Sequence, residues 1–274
     1  MIALTRSAKQ LIFLFILVFI TVVTAYADPC KPSTESQTDP NFVPGYLLPG
    51  ELPNSISLLP PPPSKDSIAL ALDEELSKEN FKLRDTPRWE LATKDADTGL
   101  YAAGAFSCAL NAPITEQDMP RLLKLLRRIW FDAGNSTSRA KKCYSRPRPF
   151  MLNEQPICTS DEKNFLRENG SYPSGHAAIG WAWALVLSEI DPEHIDAILA
   201  RGWEFGKSRE VCNVHWHSDV IAGSFIGAST VARLHADVTF RADMEAAKAE
   251  LTAVRAKGLK PKRDCAAEAA AMVQ

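Results

Sequence analysis

The sequence predicts an all-α fold: a single helical-bundle domain preceded by a proline-rich lead. Three observations predict it. Helix-start signals recur at Thr86-Pro87, Thr115 with Asp118, Ser160, Ser174 and Asp191-Pro192. Two apolar stretches, 177–187 and 220–232, are rich in the small residues that permit close helix contacts, and no convincing alternating strand intervenes. With 46% hydrophobic and 23% charged residues, the chain can bury one full core, and no second domain is needed.

Taken in order, residues 1–27 have the layout of a secretory signal peptide. Arg6 and Lys9 precede the apolar run Leu11 to Ile20, and Ala25-Tyr26-Ala27 supplies an A-x-A cleavage site. The run falls short of the roughly 20 apolar residues that a bilayer span takes, and Pro29 disfavours a lipoprotein cut before Cys30. Cleavage removes two cations and no acid, moving the net charge from −2 to −4, so nothing advertises a nucleic-acid partner. The expected location is periplasmic or secreted, with no stable membrane insertion after signal removal.

Residues 28–63 form the lead. Its "YLLPGELPNSISLLPPPP" cannot be helical for long, because proline lacks the backbone donor, and it should wrap over a body made elsewhere. Residues 64–258 form the helical domain. Ile68, Leu72 and Leu76 recur every four residues, the spacing of one helix face, and Thr86-Pro87 reads as an N-cap with proline at the first helical position. Thr115 with Asp118 resembles a capping box before "RLLKLLRRIWFDAG". Ser160 precedes "DEKNFLRENG", Asp191-Pro192 opens "EHIDAILARGWEFG", and one long helix is expected through "ASTVARLHADVTFRADMEAAKAELTAVRAKG". Residues 259–274 are expected to be a disordered or loosely attached tail. The two apolar stretches are too short and too rich in small residues to be membrane spans and read as buried helices.

All six cysteines, Cys30, Cys108, Cys143, Cys158, Cys212 and Cys265, follow the cleavage site, where an oxidising compartment preserves disulfides. The absence of any C-x-x-C pair argues against a zinc cluster. A Cys143–Cys158 bridge is the favoured pairing, since it would clamp the segment between them.

Chemistry gathers in three segments. In "GSYPSGHAAIGWAWAL", Ser174 stands where an N-cap belongs, leaving the N–H groups of Gly175 and His176 outward. A helix N-terminus with free N–H groups binds anions, and glycine allows close approach; such a corner also serves simply to cap a helix. Upstream, "KKCYSRPRPF" offers Lys141, Arg146 and Arg148 with two prolines that stiffen the chain. A solvated basic patch is the plain reading, but arginine forks match phosphate oxygens and lysine adds a point charge. Downstream, "GKSREVCNVHWHSDVIAG" supplies Arg209, then His215 with Asp219 four residues on, which a helix would place on one face. A carboxylate beside imidazole fixes its tautomer and leaves the far nitrogen as acceptor or nucleophile.

"HWHSD" is a poor metal site, because His215 and His217 are two apart and point in different directions on a helix. Trp203, Phe205 and Trp216 read as core or pocket wall, and His194 and His235 as surface residues without a task.

Together the segments read K-x6-R-P, P-S-G-H and S-R-x5-H-x3-D: Lys141 with Arg148-Pro149, Pro173-Ser174-Gly175-His176, and Ser208-Arg209 with His215 and Asp219. In this the chain resembles the class A bacterial non-specific acid phosphatases, in the superfamily shared with type 2 phosphatidic acid phosphatases and vanadium haloperoxidases. The likeness covers most of residues 45–250 and includes the proline-rich lead and "GSYPSGH"; it departs at Ala177, where that class carries threonine.

The resemblance implies an α-helical enzyme for small phosphate monoesters, with no metal or other cofactor, and a homo-oligomer. Lys141, Arg148, Ser174, Gly175 and Arg209 would bind phosphate and His215 would attack phosphorus, oriented by Asp219. His176 would protonate the leaving oxygen and then activate water against a phosphohistidine. A vanadate-dependent haloperoxidase is the alternative, opposed by the modest length and the lead. A non-catalytic phosphoester-binding protein is a third, opposed by His215, Asp219 and His176 occurring together.

Overall fold

The computed structural model describes residues 30, 44–97, 99 and 102–273, and every regular element among them is helical. The expected signal peptide and the first part of the lead, Cys30 apart, lie outside the described residues. In chain order the α-helices are α1 (Ser55–Leu58), α2 (Ile68–Asn80), α3 (Pro87–Asp95), α4 (Pro120–Ser136), α5 (Ser138–Tyr144) and α6 (Pro149–Asn153). They continue with α7 (Lys163–Glu168), α8 (Gly175–Ile190), α9 (Ile195–Val211), α10 (His217–Leu234), α11 (Val238–Ala256) and α12 (Cys265–Met272).

Helix α8 is the centre, packed between α4, α9 and α10, because its sequence is apolar almost all round. Its Trp183 is buried edge-on to Phe106 and donates its indole N–H to the Leu126 carbonyl at 2.7 Å. Small residues set the spacing. A Cβ added at Gly223 or Gly227 of α10 would collide with the carbonyl oxygens of Ser174 and Ala178, so glycine lets α10 lie directly on α8. Opposite, α4 turns Leu122, Leu126, Ile129 and Ala133 into the core on a helical repeat. Each fully buried leucine of this kind is worth about 1.5–3 kcal/mol.

Several local expectations are corrected. Thr115 and Asp118 close a turn of their own, with the Asp118 N–H donating to Thr115 Oγ1 at 3.1 Å, but α4 starts later at Pro120. Its free N–H groups at Arg121 and Leu122 are capped from α11 by the Glu250 carboxylate, at 3.2 and 2.9 Å. The long C-terminal helix is two, α10 and α11. Asp237 breaks it by accepting from the Phe240 N–H at 2.8 Å, the competing backbone bond that makes aspartate a good N-cap. On α2 the four-residue repeat marks the wrong face: Ile68 is 90% exposed and Leu72 is exposed as well, whereas Asp73 is the buried residue.

The described part of the lead is fastened to the body. The N–H groups of Tyr46 and Leu47 donate to the buried Asp132 carboxylate at 2.7 and 3.3 Å, and Arg128 stacks over the Tyr46 ring.

The cysteines pair as Cys30–Cys143, Cys108–Cys265 and Cys158–Cys212, which corrects the favoured Cys143–Cys158 bridge. After Arg148 the chain runs onto the end of α9, where the Phe150 N–H donates to the Asn213 carbonyl and the side-chain amides of Asn153 and Asn213 pair. That course sets Cys158 against Cys212 and leaves Cys143, in the last turn of α5, for the lead. The loose tail is corrected too. Residues 265–272 form α12, capped by Asp264 and packed on α3. Its Cys265 is bridged to Cys108, and its buried Glu268 pairs with Arg201 and Arg263. A bridge closing a loop this long contributes about 5 kcal/mol in the chain-entropy account.

Candidate active site

Three chain segments meet at the N-terminus of α8. Ser174 caps this helix, its Oγ accepting from the Ala177 N–H at 3.3 Å. Its own N–H donates to the Asp219 carbonyl at 2.9 Å, which ties this corner to α10. The N–H groups of Gly175 and His176 fall in the first turn, where no intrahelical carbonyl is available to them.

Lys141 comes from α5 and donates Nζ to the Gly170 carbonyl at 2.8 Å, while Arg148 precedes α6 as its N-cap residue. Arg148 is buried. Its Nε donates to the Leu166 and Asn169 carbonyls at 2.9 and 3.0 Å, and its Nη1 donates to the Val214 carbonyl at 2.9 Å.

Arg209, in the last turn of α9, is 1% exposed, and its Nε and Nη1 find no hydrogen-bond partner among the described residues. Burial, then the neighbouring Arg209, lowers the Arg148 pKa to about 10; burial lowers that of Arg209 to about 10 as well. Burial followed by Arg148 also pulls Lys141 well below the ordinary lysine range. Three cations are thus crowded together with the anionic charge around them insufficient to offset their burial.

His215 lies in the turn before α10, not on that helix as the four-residue spacing predicts. The Val214 and His215 N–H groups both donate to the Arg209 carbonyl at 3.2 Å, and Asn213, at φ 59°, supplies the left-handed residue that turns the chain there. The partnership with Asp219 still forms, because Asp219 sits in the first turn of α10 and reaches back: its Oδ2 lies 3.3 Å from His215 Nδ1 and accepts from the Trp216 N–H at 2.9 Å.

The other imidazole nitrogen, Nε2, is 3.0 Å from Arg148 Nη1. Arginine can only donate, so Nε2 carries the lone pair and Nδ1 the proton, an assignment made from the hydrogen-bond network. Burial, then Arg148, Lys141 and Arg209, holds His215 well below the ordinary histidine range, so it is neutral at pH 7.

His176 is set the other way round. Its Nε2 donates to the Ala96 carbonyl at 2.9 Å, which leaves Nδ1 as the free position. Burial and then Arg209 lower its pKa well below the usual value, against the raising effect of the Ala96 carbonyl. Phe205 stacks against its ring.

All eight residues singled out from the sequence therefore converge, and two neighbours, Arg146 and Trp203, are placed differently from expectation. Arg146, one of the three upstream cations, is spent on carboxylates: Nη1 donates to Asp219 Oδ1 at 2.6 Å and Nη2 to Asp73 Oδ2 at 2.7 Å. Phe205 and Trp216 are buried, but Trp203 is partly exposed. His217 turns to Glu210, at 3.1 Å, while His194 pairs with Asp191 and His235 with Glu189. Asp73 itself was missed. Its signal was an acid between Leu70 and Leu76 at helical spacing, a polar residue on the inward face.

Residues 124–243 match the PAP2 superfamily, a span that contains all eight of these residues. The non-specific acid phosphatase of Providencia stuartii is 42% identical over 236 residues, covering 85% of this chain and 94% of that protein. The non-specific acid phosphatase of Salmonella typhimurium is 40% identical over 216 residues, covering 78% and 86%. The acid phosphatase of Zymomonas mobilis is 41% identical over 204 residues, covering 74% and 77%. By its helical architecture, by these eight converging residues and by similarity along most of its length, the chain belongs to the non-specific acid phosphatases of the PAP2 superfamily.

Proposed function

We propose that the protein hydrolyses phosphate monoesters through a phosphohistidine on His215. The observation that carries this reading is Arg209: a buried guanidinium with two unpartnered nitrogens costs several kcal/mol unless an anion arrives to pair with it. A phosphoryl group meets that need, together with Lys141, Arg148, Ser174 and the Gly175 N–H.

The two imidazoles then divide the chemistry. Arg148 Nη1 hands its donor from His215 Nε2 to a phosphate oxygen, freeing the lone pair. Nε2 attacks phosphorus, the P–O ester bond breaks as the N–P bond forms, and the leaving oxygen takes a proton from His176 Nδ1. In the second half His176 Nδ1 takes a proton from water, the water oxygen bonds to phosphorus, and the N–P bond breaks to return His215 and release inorganic phosphate. Asp219 balances the charge that His215 gains while phosphorylated. Bound phosphate offsets the cations that depress His176, so its acid form is populated in the complex at mildly acid pH.

The test is phosphate release from an aryl phosphate at mildly acid pH with chelator present, beside a vanadate and peroxide halogenation assay. Release without halogenation is expected. Halogenation without release would make the protein a haloperoxidase, and tight phosphate binding without either would make it a binder. Export to the periplasm or beyond belongs to the same proposal and is supported by the three disulfides; cell fractionation checks it. So does a homo-oligomer, checked by light scattering.

A further inference from the structure

Helix α2 docks in an unusual way. Ile68 and Leu72 face solvent, and the buried residue of the helix is a carboxylate, Asp73, 2% exposed. Burying a carboxylate is costly unless it is paired, so a helix that served only as cover would bury a leucine there.

Both oxygens of Asp73 are fully used. Oδ1 accepts from the Ser218 N–H at 2.8 Å; Oδ2 accepts from Ser218 Oγ at 2.6 Å and Arg146 Nη2 at 2.7 Å. Arg146 in turn gives Nη1 to Asp219 Oδ1 and Ser218 Oγ, at 2.6 and 2.8 Å. A line of alternating charge runs from Asp73 through Arg146 to Asp219 and ends on the neutral imidazole of His215.

The weak joint in this line is the last one, at 3.3 Å, where Asp219 Oδ2 is shared between His215 Nδ1 and the Trp216 N–H. A guanidinium ordinarily grips a carboxylate with two parallel N–H bonds. Were both nitrogens of Arg146 free, the fork would take both oxygens of Asp219 and draw Oδ2 away from the imidazole. Asp73 prevents this by holding Nη2.

The geometry points to Asp73 and Arg146 as positioning residues for His215: Asp73 restricts Arg146 to one oxygen of Asp219, so that the other stays on the imidazole and fixes its Nδ1–H tautomer. This rests on the reading of His215 as nucleophile, but its first test does not need turnover. In the resting protein, ¹⁵N spectra of the imidazoles should show His215 as a single Nδ1–H tautomer, and in Asp73→Asn as a mixture. The isosteric Asn keeps an acceptor for the Ser218 N–H, so α10 retains its start.

Turnover gives the second readout. Asp73→Asn should lower kcat about tenfold, the scale of a small misplacement of a reacting group. KM and inhibition by inorganic phosphate should stay within about twofold, because Lys141, Arg148 and Arg209 are untouched. The double variant Asp73→Asn/Arg146→Ala should be no slower than Arg146→Ala alone, since the two act in series. An unchanged His215 tautomer in Asp73→Asn overturns the inference. So does wild-type kcat in that variant, or a loss that falls on phosphate affinity. A wild-type protein that shows the single tautomer yet releases no phosphate would sink the hydrolytic reading alone.

Discussion

Arg201 and Arg209 lie about two turns apart on α9, both 1% exposed, and they are opposites. Arg201 is saturated: it forms a two-point bridge with Asp95, and its Nε donates to the Ala105 carbonyl at 3.2 Å with Glu268 of α12 beside it. Burial pulls its pKa down, but Asp95 together with Glu268 and Glu204 outweighs this and the net shift is upward. Arg209 has two nitrogens without partners among the described residues and a net shift downward. A buried arginine whose carboxylate the fold supplies is a structural tie; one whose carboxylate is withheld awaits an anion from outside. The two are linked, since Ser208 Oγ, next to Arg209 in sequence, donates to the same Asp95 at 2.7 Å and accepts from Arg88. The tie thus helps fix the helix end that presents the free cation.

This contrast is broken most directly by exchanging the losses. Arg209→Ala should cut kcat/KM by about a thousandfold, near 4 kcal/mol of transition-state stabilisation, while leaving the denaturant midpoint unchanged or raised. Arg201→Ala should do the reverse, costing about 3–5 kcal/mol of stability by stranding Asp95. Equal loss of stability in both variants would erase the distinction.

A smaller effect sharpens it. Inorganic phosphate at a hundred times its Kd should stabilise the native protein by about 3 kcal/mol, read as a rise in Tm. Arg209→Ala should lose this rise, and Arg201→Ala should keep it.

Smaller still is the dependence on pH. Both site histidines have folded pKa values held well below 6.5. The unfolded chain therefore takes up protons that the folded chain refuses as pH falls below that value. Their contribution to stability is intact above it and is lost as pH drops toward the folded pKa values. Bound phosphate should blunt this loss. The rate should follow a bell, since attack needs neutral His215 and departure needs protonated His176, with an optimum on the acid side of neutrality. A rate that simply rises from acid to alkaline pH would contradict the assignment. The smallest effect expected is none: chelator should leave hydrolysis unchanged, because Lys141, Arg148 and Arg209 supply the positive charge.

The helical class and the convergence of the eight singled-out residues were legible because each rests on local chemistry: a serine before a helix, arginines beside prolines, a histidine four residues from an aspartate. What the sequence hid depends on contacts distant along the chain. Glu250 caps α4 from α11, Arg146 is claimed by Asp73 from α2, and Cys143 waits for Cys30. The α12 tail reads as a polar-flanked alanine run until Glu268 meets Arg201. The repeat of Ile68 and Leu72 misled for a related reason, since a helix that docks through a charge has no need of its apolar stripe.

The central claim is that His215 carries the phosphoryl group while His176 moves protons on either side of the intermediate. It is tested most directly by acid-free quenching during turnover of an aryl phosphate, followed by mass analysis of the peptide spanning Glu210 to Asp219. The unaltered enzyme should carry phosphate on His215, His176→Ala should accumulate that adduct because water is poorly activated, and His215→Ala should carry none. Phosphate on that peptide in His215→Ala, or on His176 in the unaltered enzyme, would contradict the account.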